Sequence, residues 1–365
     1  MHVTHVVNDL TTGGAQTLID GLAKCMKEEV KTSLIVLAGP GPLSERLEAT
    51  CSSVHYLNFS RSSYRLDRLV VDVNTSIKRL DPGVVHSHLL QSDLAVALAP
   101  LPARVAKIST VHTTGMSAAD SLRSRLLGRA MGRLSSRFDS VVACGNTAAA
   151  YMELQRYDQR RASVIANGVA TPEVWRPRRR TRRLLSLSRW HAMKDHRLLF
   201  SALAAARNSG YDYVLTCAGS GVDNNNAELV ELIRSFGLLS YVSLLGPVDD
   251  VQKLFEEADA LVISSAYGEA LPMAGLEALS AGLPVLTTDV GDSQRLGVKE
   301  WMVVRPGDDL GMTGALQVLA ELSDADYKDL SRGAWQIAKD TFSIGNTARQ
   351  YNNLYREYSS PRSGD

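Results

Sequence analysis

The sequence is poor in cysteine, in charge of one sign and in long apolar runs, and each shortage excludes a class of protein. Its four cysteines, Cys25, Cys51, Cys144 and Cys217, are scattered through 365 residues, with no Cys-x-x-Cys pair and no histidine at metal-ligand spacing. That pattern reads as free thiols in a reducing compartment, with disulfides the exception. The 40 lysines and arginines are balanced by 39 aspartates and glutamates, for a net charge of +1 at pH 7. A dedicated nucleic-acid binder needs a strong basic excess to neutralise phosphates, so any anion binding here is local. No apolar run approaches the roughly 20 residues that cross a bilayer. The N-terminal MHVTHVVNDLTTGG lacks a basic head, an apolar core and a small-residue cleavage site, so no secretory signal is visible. A cytoplasmic protein is expected, with contact at the inner face of the membrane left open.

What is present is an ordinary globular mixture, 45% hydrophobic and 22% charged, long enough for two α/β domains. Short β-rich runs alternate with longer helical stretches, which implies parallel sheets covered by helices on both faces. Strands are expected at 2–7, 33–38, 84–87, 106–111 and 140–144, with a helix at 17–29 after the first. The pattern breaks around Ala166-Asn167-Gly168, and the Pro-, Arg- and Thr-rich stretch that follows reads as a linker at 171–183. A second series then runs through 184–188, 214–218, 242–245, 260–264, 284–288 and 302–305, and a helix over 346–358 carries Tyr351, Leu354, Tyr355 and Tyr358 at helical spacing. The domains are therefore 1–170 together with a C-terminal helix at 343–358, and 184–342.

In open α/β sheets, ligands bind outside the carboxyl ends of the strands, so the informative residues should follow strands. The strongest run, SSAYGEALPMAGLEALSAGLP over 264–284, does so. Pro272 suits the first turn of a helix and Gly282 its end. The backbone N–H groups of Leu271, Pro272's neighbour, through Met273 and Ala274 would then face a phosphate or diphosphate. Glu277 lies inside that helix among Leu276, Ala278 and Leu279. Its carboxylate needs hydrogen bonds if buried, which a ribose diol or an intrachain ion pair could supply. Glu269, just before the helix, could hold sugar hydroxyls.

The pair Glu269 and Glu277 has E-x7-E spacing, and other motifs accompany it in a fixed order. They are Thr12-Gly13-Gly14-Ala15-Gln16, Val111-His112, Ile165-Ala166-Asn167-Gly168-Val169, Ser188-Arg189-Trp190 with Lys194-Asp195-His196, Ala218-Gly219-Ser220-Gly221 and Leu245-Gly246-Pro247. Together they resemble the retaining GT-B glycosyltransferases, in particular glycosyltransferase family 4 (glycosyl transferases group 1), over nearly the whole chain. The resemblance implies two Rossmann-like doubly wound domains facing across a cleft, with the C-terminal helix crossing back to the N-domain. It implies a retaining hexosyltransferase using a nucleotide-sugar, a UDP-sugar favoured over a GDP-sugar. The implied acceptor is a lipid-linked or glycan intermediate of bacterial surface polysaccharide synthesis. One departure is Ala270-Leu271-Pro272, where the family has Gly-Phe-Pro; it loosens any inference about the sugar.

In the family, the residues matching Arg189 and Lys194 bind the diphosphate, and two fixed cations can replace a metal at a departing diphosphate. Each alone could equally be a solvated surface charge. No convincing Asp-x-Asp stands at a strand end; Asp249-Asp250 and Asp308-Asp309 read as turn or cap residues. No metal and no other cofactor is therefore expected. Gly13 and Gly14 follow the first strand, where glycines permit a tight turn and close approach to a donor phosphate. They do not form a G-x-G-x-x-G dinucleotide fingerprint. Gly219 belongs with the donor phosphate site by resemblance. His112 is placed beside the transferred sugar, and His86 and His88 read as structural. The implied chemistry is front-face substitution, with His112, Arg189, Lys194 and Glu269 as the catalytic set and Glu269, Ala270 and Leu271 beside the sugar.

On a helix over 122–138, Leu127, Met131, Leu134 and Phe138 share a core face, while Arg125, Arg129, Arg133 and Arg137 form a stripe. The stripe is either a solvated face or a dock for anionic lipid. A nucleotide-sugar epimerase and an inactive binding homologue remain alternatives, and an oxidoreductase would need the missing fingerprint.

Overall fold

Runs such as His-Val-Thr-His-Val-Val and Ala-Lys-Ile-Ser-Thr-Val are rich in β-branched residues, and nearly every residue in them is buried. Strands buried on both faces belong in parallel sheets covered by helices. The computed structural model describes residues 1–11, 13–60, 65–112, 122–178 and 180–359, the side chains of 122–125 excepted. Its first sheet holds β1 (His2–Val7), β2 (Lys31–Val36), β3 (Ser53–Tyr56), β4 (Val84–His88), β5 (Ala106–Val111), β6 (Ser140–Ala143) and β7 (Ala162–Val164). The second holds β8 (Arg183–Leu187), β9 (Val214–Ala218), β10 (Val242–Leu244), β11 (Ala260–Ile263), β12 (Val285–Thr288) and β13 (Val303–Val304). The orders are β3-β2-β1-β4-β5-β6-β7 and β10-β9-β8-β11-β12-β13, with all described pairs parallel. Each sheet is thus doubly wound, and its order reverses once, at β1/β4 and at β8/β11.

The chain divides into one unit of Met1–Gly168 with the C-terminal segment from Ile344, and a second of Val169–Ser343. In the first unit the helix Ile344–Ser359 completes the core. Tyr351 and Tyr355 are fully buried in it, packed with Leu18, Leu22 and Ile108. Gly21 makes the approach possible, because a Cβ there would lie 2.9 Å from Cδ1 of Ile344. The polar face of the same helix sends Asn352 and Arg356 to the Glu29 carboxylate, at 2.7 and 2.6 Å.

Several elements differ from expectation. The helix expected at 17–29 is Gly14–Cys25, starting directly after an extended Gly13. The single helix expected over 122–138 ends at Leu134 and continues as a short 3-10 turn, Ser135–Arg137. There the Ser135 hydroxyl donates to the Gly132 carbonyl (2.7 Å) and accepts from the Asp158 amide (2.8 Å), diverting the backbone. The strands β3 and β7 carried no sequence signal: they are short and only half-buried or exposed, without an apolar run.

The stretch read as a linker, 171–183, is bound into the second unit by charge. Arg178 donates to the carbonyls of Phe255, Ala258 (2.7 Å) and Ala281 (3.2 Å). Arg180 donates to Leu319 (3.0 Å), Ala320 (2.7 Å) and Leu322 at the end of the helix Asp309–Glu321. The buried Asp259 accepts from the amides of Thr181 and Arg182, both at 2.7 Å. Unpaired carbonyls at helix ends attract cations, and here the arginines supply them. Arg178→Ala is expected to lower the stability of the second unit by about 2 to 3 kcal/mol, since hydrogen bonds to a charged group are the strong kind. Hydrogen exchange should show the loss confined to Val169–Ser343.

Candidate active site

In the first unit the strand order reverses between β1 and β4, and polar residues collect behind both. After β1, Asn8 accepts from the amide (3.0 Å) and hydroxyl (2.7 Å) of Ser92 through its side-chain oxygen. Gln16 donates to the Asp9 carbonyl at 2.9 Å, closing the turn over Gly13. Gly13 itself is extended and offers no side-chain cap, so the first amides of the helix from Gly14 are uncapped. A Cβ on Gly13 would meet the Gln16 amide oxygen at 2.8 Å. Thr12 lies outside the described residues. After β4 the chain turns sharply through Leu89, which has a φ of 73° rarely adopted by a branched side chain.

The parallel register explains what happens on one face of this sheet. His5 on β1 lies opposite His86 on β4, His88 follows two residues on, and His88 lies opposite Thr110 on β5. Their side chains form a connected network. His5 Nδ1 meets His88 Nε2 at 2.9 Å, and His88 Nδ1 meets His112 Nε2 at 3.1 Å. His86 is held separately, by Tyr355 Oη and Thr110 Oγ1, each at 2.7 Å. So His88, read from sequence as structural, is in direct contact with the predicted site residue His112. The His-Ser-His alternation hinted that both rings share a face. Register with His5 could not be read from it.

His5, His86 and His88 lie close enough together to be weighed as a metal site, their ligand atoms within 4.8 Å of one another. The packing opposes it. The His86 and His88 rings lie over each other with centroids 4.1 Å apart, whereas metal ligands converge in their ring planes. Both nitrogens of His86 and of His88 are already hydrogen-bonded. Burial lowers all of these rings below the ordinary imidazole range, His112 to about 4, and so keeps them neutral. On the opposite side of the account, the buried Asp93 is raised by burial to about 7 although the hydroxyls of Ser87 and Ser109 donate to it.

In the second unit the reversal lies between β8 and β11. The loop after β8 carries Arg189, which is exposed, and then Lys194, largely buried. Asp195, in the left-handed conformation at φ 42°, caps the helix His196–Asn208 by accepting from the Leu198 amide at 3.1 Å. The loop after β11 carries Glu269, 7% exposed, which pairs with Lys194 and accepts from the Ser265 hydroxyl at 2.6 Å. A buried carboxylate is tolerable only with such compensation. The two loops are tied by Ser264 Oγ to the Lys194 carbonyl and by the Ala266 amide to the Met193 carbonyl, both at 2.8 Å. From the other side Thr288 Oγ1 donates to the Ser265 carbonyl at 2.6 Å and the Asp292 amide to the Ala270 carbonyl at 2.8 Å. Gly291, at φ 66°, allows this approach: a Cβ there would fall 2.0 Å from the Glu269 carbonyl oxygen.

Pro272 is the N-cap of the helix Met273–Ser280, one position earlier than expected; its ψ of 120° places it before the first helical residue. It provides no side-chain cap, so the amides of Met273 and Ala274 stand at an uncapped start. The other end closes as a Schellman motif, with Gly282 at φ 68° and Leu283 donating to the Ala278 carbonyl at 2.9 Å. Glu277 is half-buried on this helix, and Leu271 and Met273 are buried beside its start. Gly219 follows β9 at φ 148°, where a Cβ would lie 2.1 Å from the Ser188 carbonyl oxygen, so it sets the backbone that leads into Arg189. The structure thus brings Lys194, Glu269 and the helix start together, with Gly219 against the root of the Arg189 loop. Asp308 is a helix cap, its carboxylate accepting from the Gly311 amide at 2.8 Å, and Asp250 accepts from Gln252 at 2.9 Å.

Two doubly wound parallel units in one chain match the GT-B type of fold. The family model for Glycosyltransferase Family 4 matches residues 12–173 and that for Glycosyl transferases group 1 matches residues 181–321, and the chain belongs to this family. EpsF of Bacillus subtilis (strain 168), described as a glycosyltransferase, is 27% identical over 310 residues, 79% of this chain and 79% of its own. A glycogen synthase of Mycobacterium tuberculosis (strain ATCC 25618 / H37Rv) is 29% identical over 244 residues, 63% of this chain and 56% of its own. Among solved structures, Anabaena Alr3699/HepE in complex with UDP-glucose shares the fold at a TM-score of 0.81 and 18% identity, over 98% of this chain and 100% of its own.

The neutral histidines give a signed pH dependence. Their ordinary value is 6.5 and their folded values are lower, so they contribute stability above about pH 6.5 that is lost as pH falls toward 4 and below. Asp93 acts oppositely, contributing below its ordinary 3.8 and losing that contribution as pH rises through about 7. Four rings outweigh one carboxyl. Hydrogen exchange at stepped pH is expected to show the first unit loosening between pH 6.5 and 4 sooner than the second, where His196 is the buried histidine lowered to about 4.

Proposed function

We propose that this protein is a retaining, metal-independent hexosyltransferase that moves a sugar from a UDP-sugar to a hydroxyl acceptor. The observation that carries the reading is the Lys194–Glu269 pair, set on the two loops at the strand reversal beside an uncapped helix start. HepE, of the same fold, is solved with UDP-glucose, which favours a uridine donor over a guanosine one. Lys194 has three N–H donors and uses one on Glu269, leaving donors for a diphosphate. Arg189 and the amides of Met273 and Ala274 add to the same charge, and Gly219 lets the backbone come close. Glu277 takes the ribose diol. Glu269, with Ala270 and Leu271, holds the hexose.

In the step itself, the bond from the anomeric carbon to the diphosphate oxygen breaks and the acceptor oxygen bonds to the same face. The acceptor's hydroxyl proton passes to the departing diphosphate. Lys194 and Arg189 matter most there, because charge develops on the leaving group. His112 takes a hydroxyl of the sugar. No side chain is needed as a nucleophile on this path.

The acceptor we infer is a lipid-linked or glycan intermediate of bacterial surface polysaccharide. Arg129 and Arg133 on the helix and Arg137 in the 3-10 turn after it are exposed, and Leu126 is 55% exposed, a surface suited to docking on anionic lipid. The side chain of Arg125 lies outside the described residues. No helix among the described residues is long and apolar enough to cross a membrane.

Two measurements test this. In a panel of nucleoside diphosphates and nucleotide sugars with chelator present, one UDP-sugar should raise the melting temperature. At a hundredfold excess over Kd the added stability is about 2.7 kcal/mol. The shift should vanish in Glu277→Ala and Arg189→Ala; no shift with any nucleotide would overturn the assignment, and a shift abolished by chelator would overturn metal independence. Product anomers read by NMR decide retention. For the membrane, sedimentation with phosphatidylserine vesicles should weaken by about 1 kcal/mol for each arginine of the stripe replaced by Gln. Absence of binding by the intact protein at low salt would remove the docking role.

A further inference from the structure

The His5–His88–His112 chain has two ends, and one of them is blocked. His5 Nε2 is fully buried and has no hydrogen-bond partner among the described residues. Its Nδ1 meets His88 Nε2, and His88 Nδ1 meets His112 Nε2. The ring centroids are 5.2 and 5.4 Å apart at interplanar angles of 22° and 34°. Such spacing is what rings side by side through an in-plane N–H···N bond give, so both contacts are directional. Burial keeps the rings neutral, and a neutral imidazole carries one N–H and one lone pair.

Only two proton arrangements then satisfy both contacts. In one, each ring donates toward His5, and the last N–H lies on His5 Nε2, buried with no acceptor. In the other, each ring donates toward His112, and His5 Nε2 keeps a bare lone pair. An orphaned buried N–H is among the rarest groups in folded proteins, and an under-used acceptor is less so. The second arrangement is the one the dry end of the chain permits.

We infer that His5 and His88 are positioning residues that hold His112 in the Nδ1–H tautomer, so that His112 presents a hydrogen-bond donor to an oxygen of its ligand, a sugar hydroxyl or a phosphate. The role of that ligand rests on the glycosyltransferase reading above; the tautomer does not. His86 is outside the chain, because both of its nitrogens are taken by Tyr355 and Thr110. The free imidazole side chain favours the other tautomer, so the arrangement has a spectroscopic signature.

Long-range nitrogen–proton correlation on the protein labelled with nitrogen-15 histidine reads the tautomer directly. His112 is expected to show a protonated Nδ1 and a bare Nε2, and His88 the same. A protonated His112 Nε2 in the wild-type protein overturns the inference whatever the activity is. His88→Leu removes the donor and should return His112 to the Nε2–H form, whereas His88→Gln keeps an amide N–H and should preserve the wild-type pattern. If the tautomer persists in His88→Leu, His88 is not its cause and the inference fails. In turnover, His88→Leu should lower kcat by about tenfold, the worth of one misdirected hydrogen bond, with KM for the donor little changed and His88→Gln restoring most of the rate. An unchanged kcat in a variant whose tautomer has switched overturns the donor role of His112. If no nucleotide-sugar is turned over by the wild-type protein, the function proposed above fails while the tautomer result still stands.

Discussion

Everything functional in this chain depends on one constraint: a parallel sheet buried on both faces leaves its chemistry to the carboxyl ends of its strands. The strands are buried and helices cover both sides, so polar groups that must meet a ligand can leave the core only where the strands stop. Where the strand order reverses, neighbouring loops part in opposite directions and open a crevice. Both sheets reverse once, at β1/β4 and at β8/β11. In each unit the candidate residues follow those strands or the ones beside them.

The two units meet the constraint with different chemistry. In the second, a carboxylate and a cation face each other on loops tied by backbone and serine hydrogen bonds. The charges compensate one another in a largely buried place, and the ammonium keeps donors in reserve. In the first, the rings of His5, His88 and His112 are neutral imidazoles joined nitrogen to nitrogen, and Tyr355 of the last helix holds His86 beside them. Burial is affordable there because no net charge is buried. One site is preorganised by ion pairing and the other by the direction of its hydrogen bonds.

Legibility followed contiguity. The strands Ala106–Val111 and Val214–Ala218 were readable to the residue, because an apolar β-branched run between turn signals has few alternatives. The run over 264–284 was readable as strand end, loop, helix and stop, and the structure shifts Pro272, the end of the strand before it (Ile263) and the start of the strand after it (Val285) by one position each. Short half-buried strands such as Ser53–Tyr56 were not, since nothing in four residues separates them from a loop. The arginines at 178 and 180 read as linker composition, although they bind helix-end carbonyls from residues 255 to 322. Such partners are set by three-dimensional proximity and leave no local pattern.

The sequence by itself determined the alternation of strands and helices, the presence of two α/β halves and the order of the motifs, because these follow from local periodicity and from residues close along the chain. Tertiary structure alone decided that His88 touches His112 and His5, that Lys194 pairs with Glu269 across 75 positions, and that Tyr355 reaches back to His86 across 269. Sheet register and helix packing fix those contacts, and both are set by the whole core, where no short segment carries enough free energy to choose its own partner.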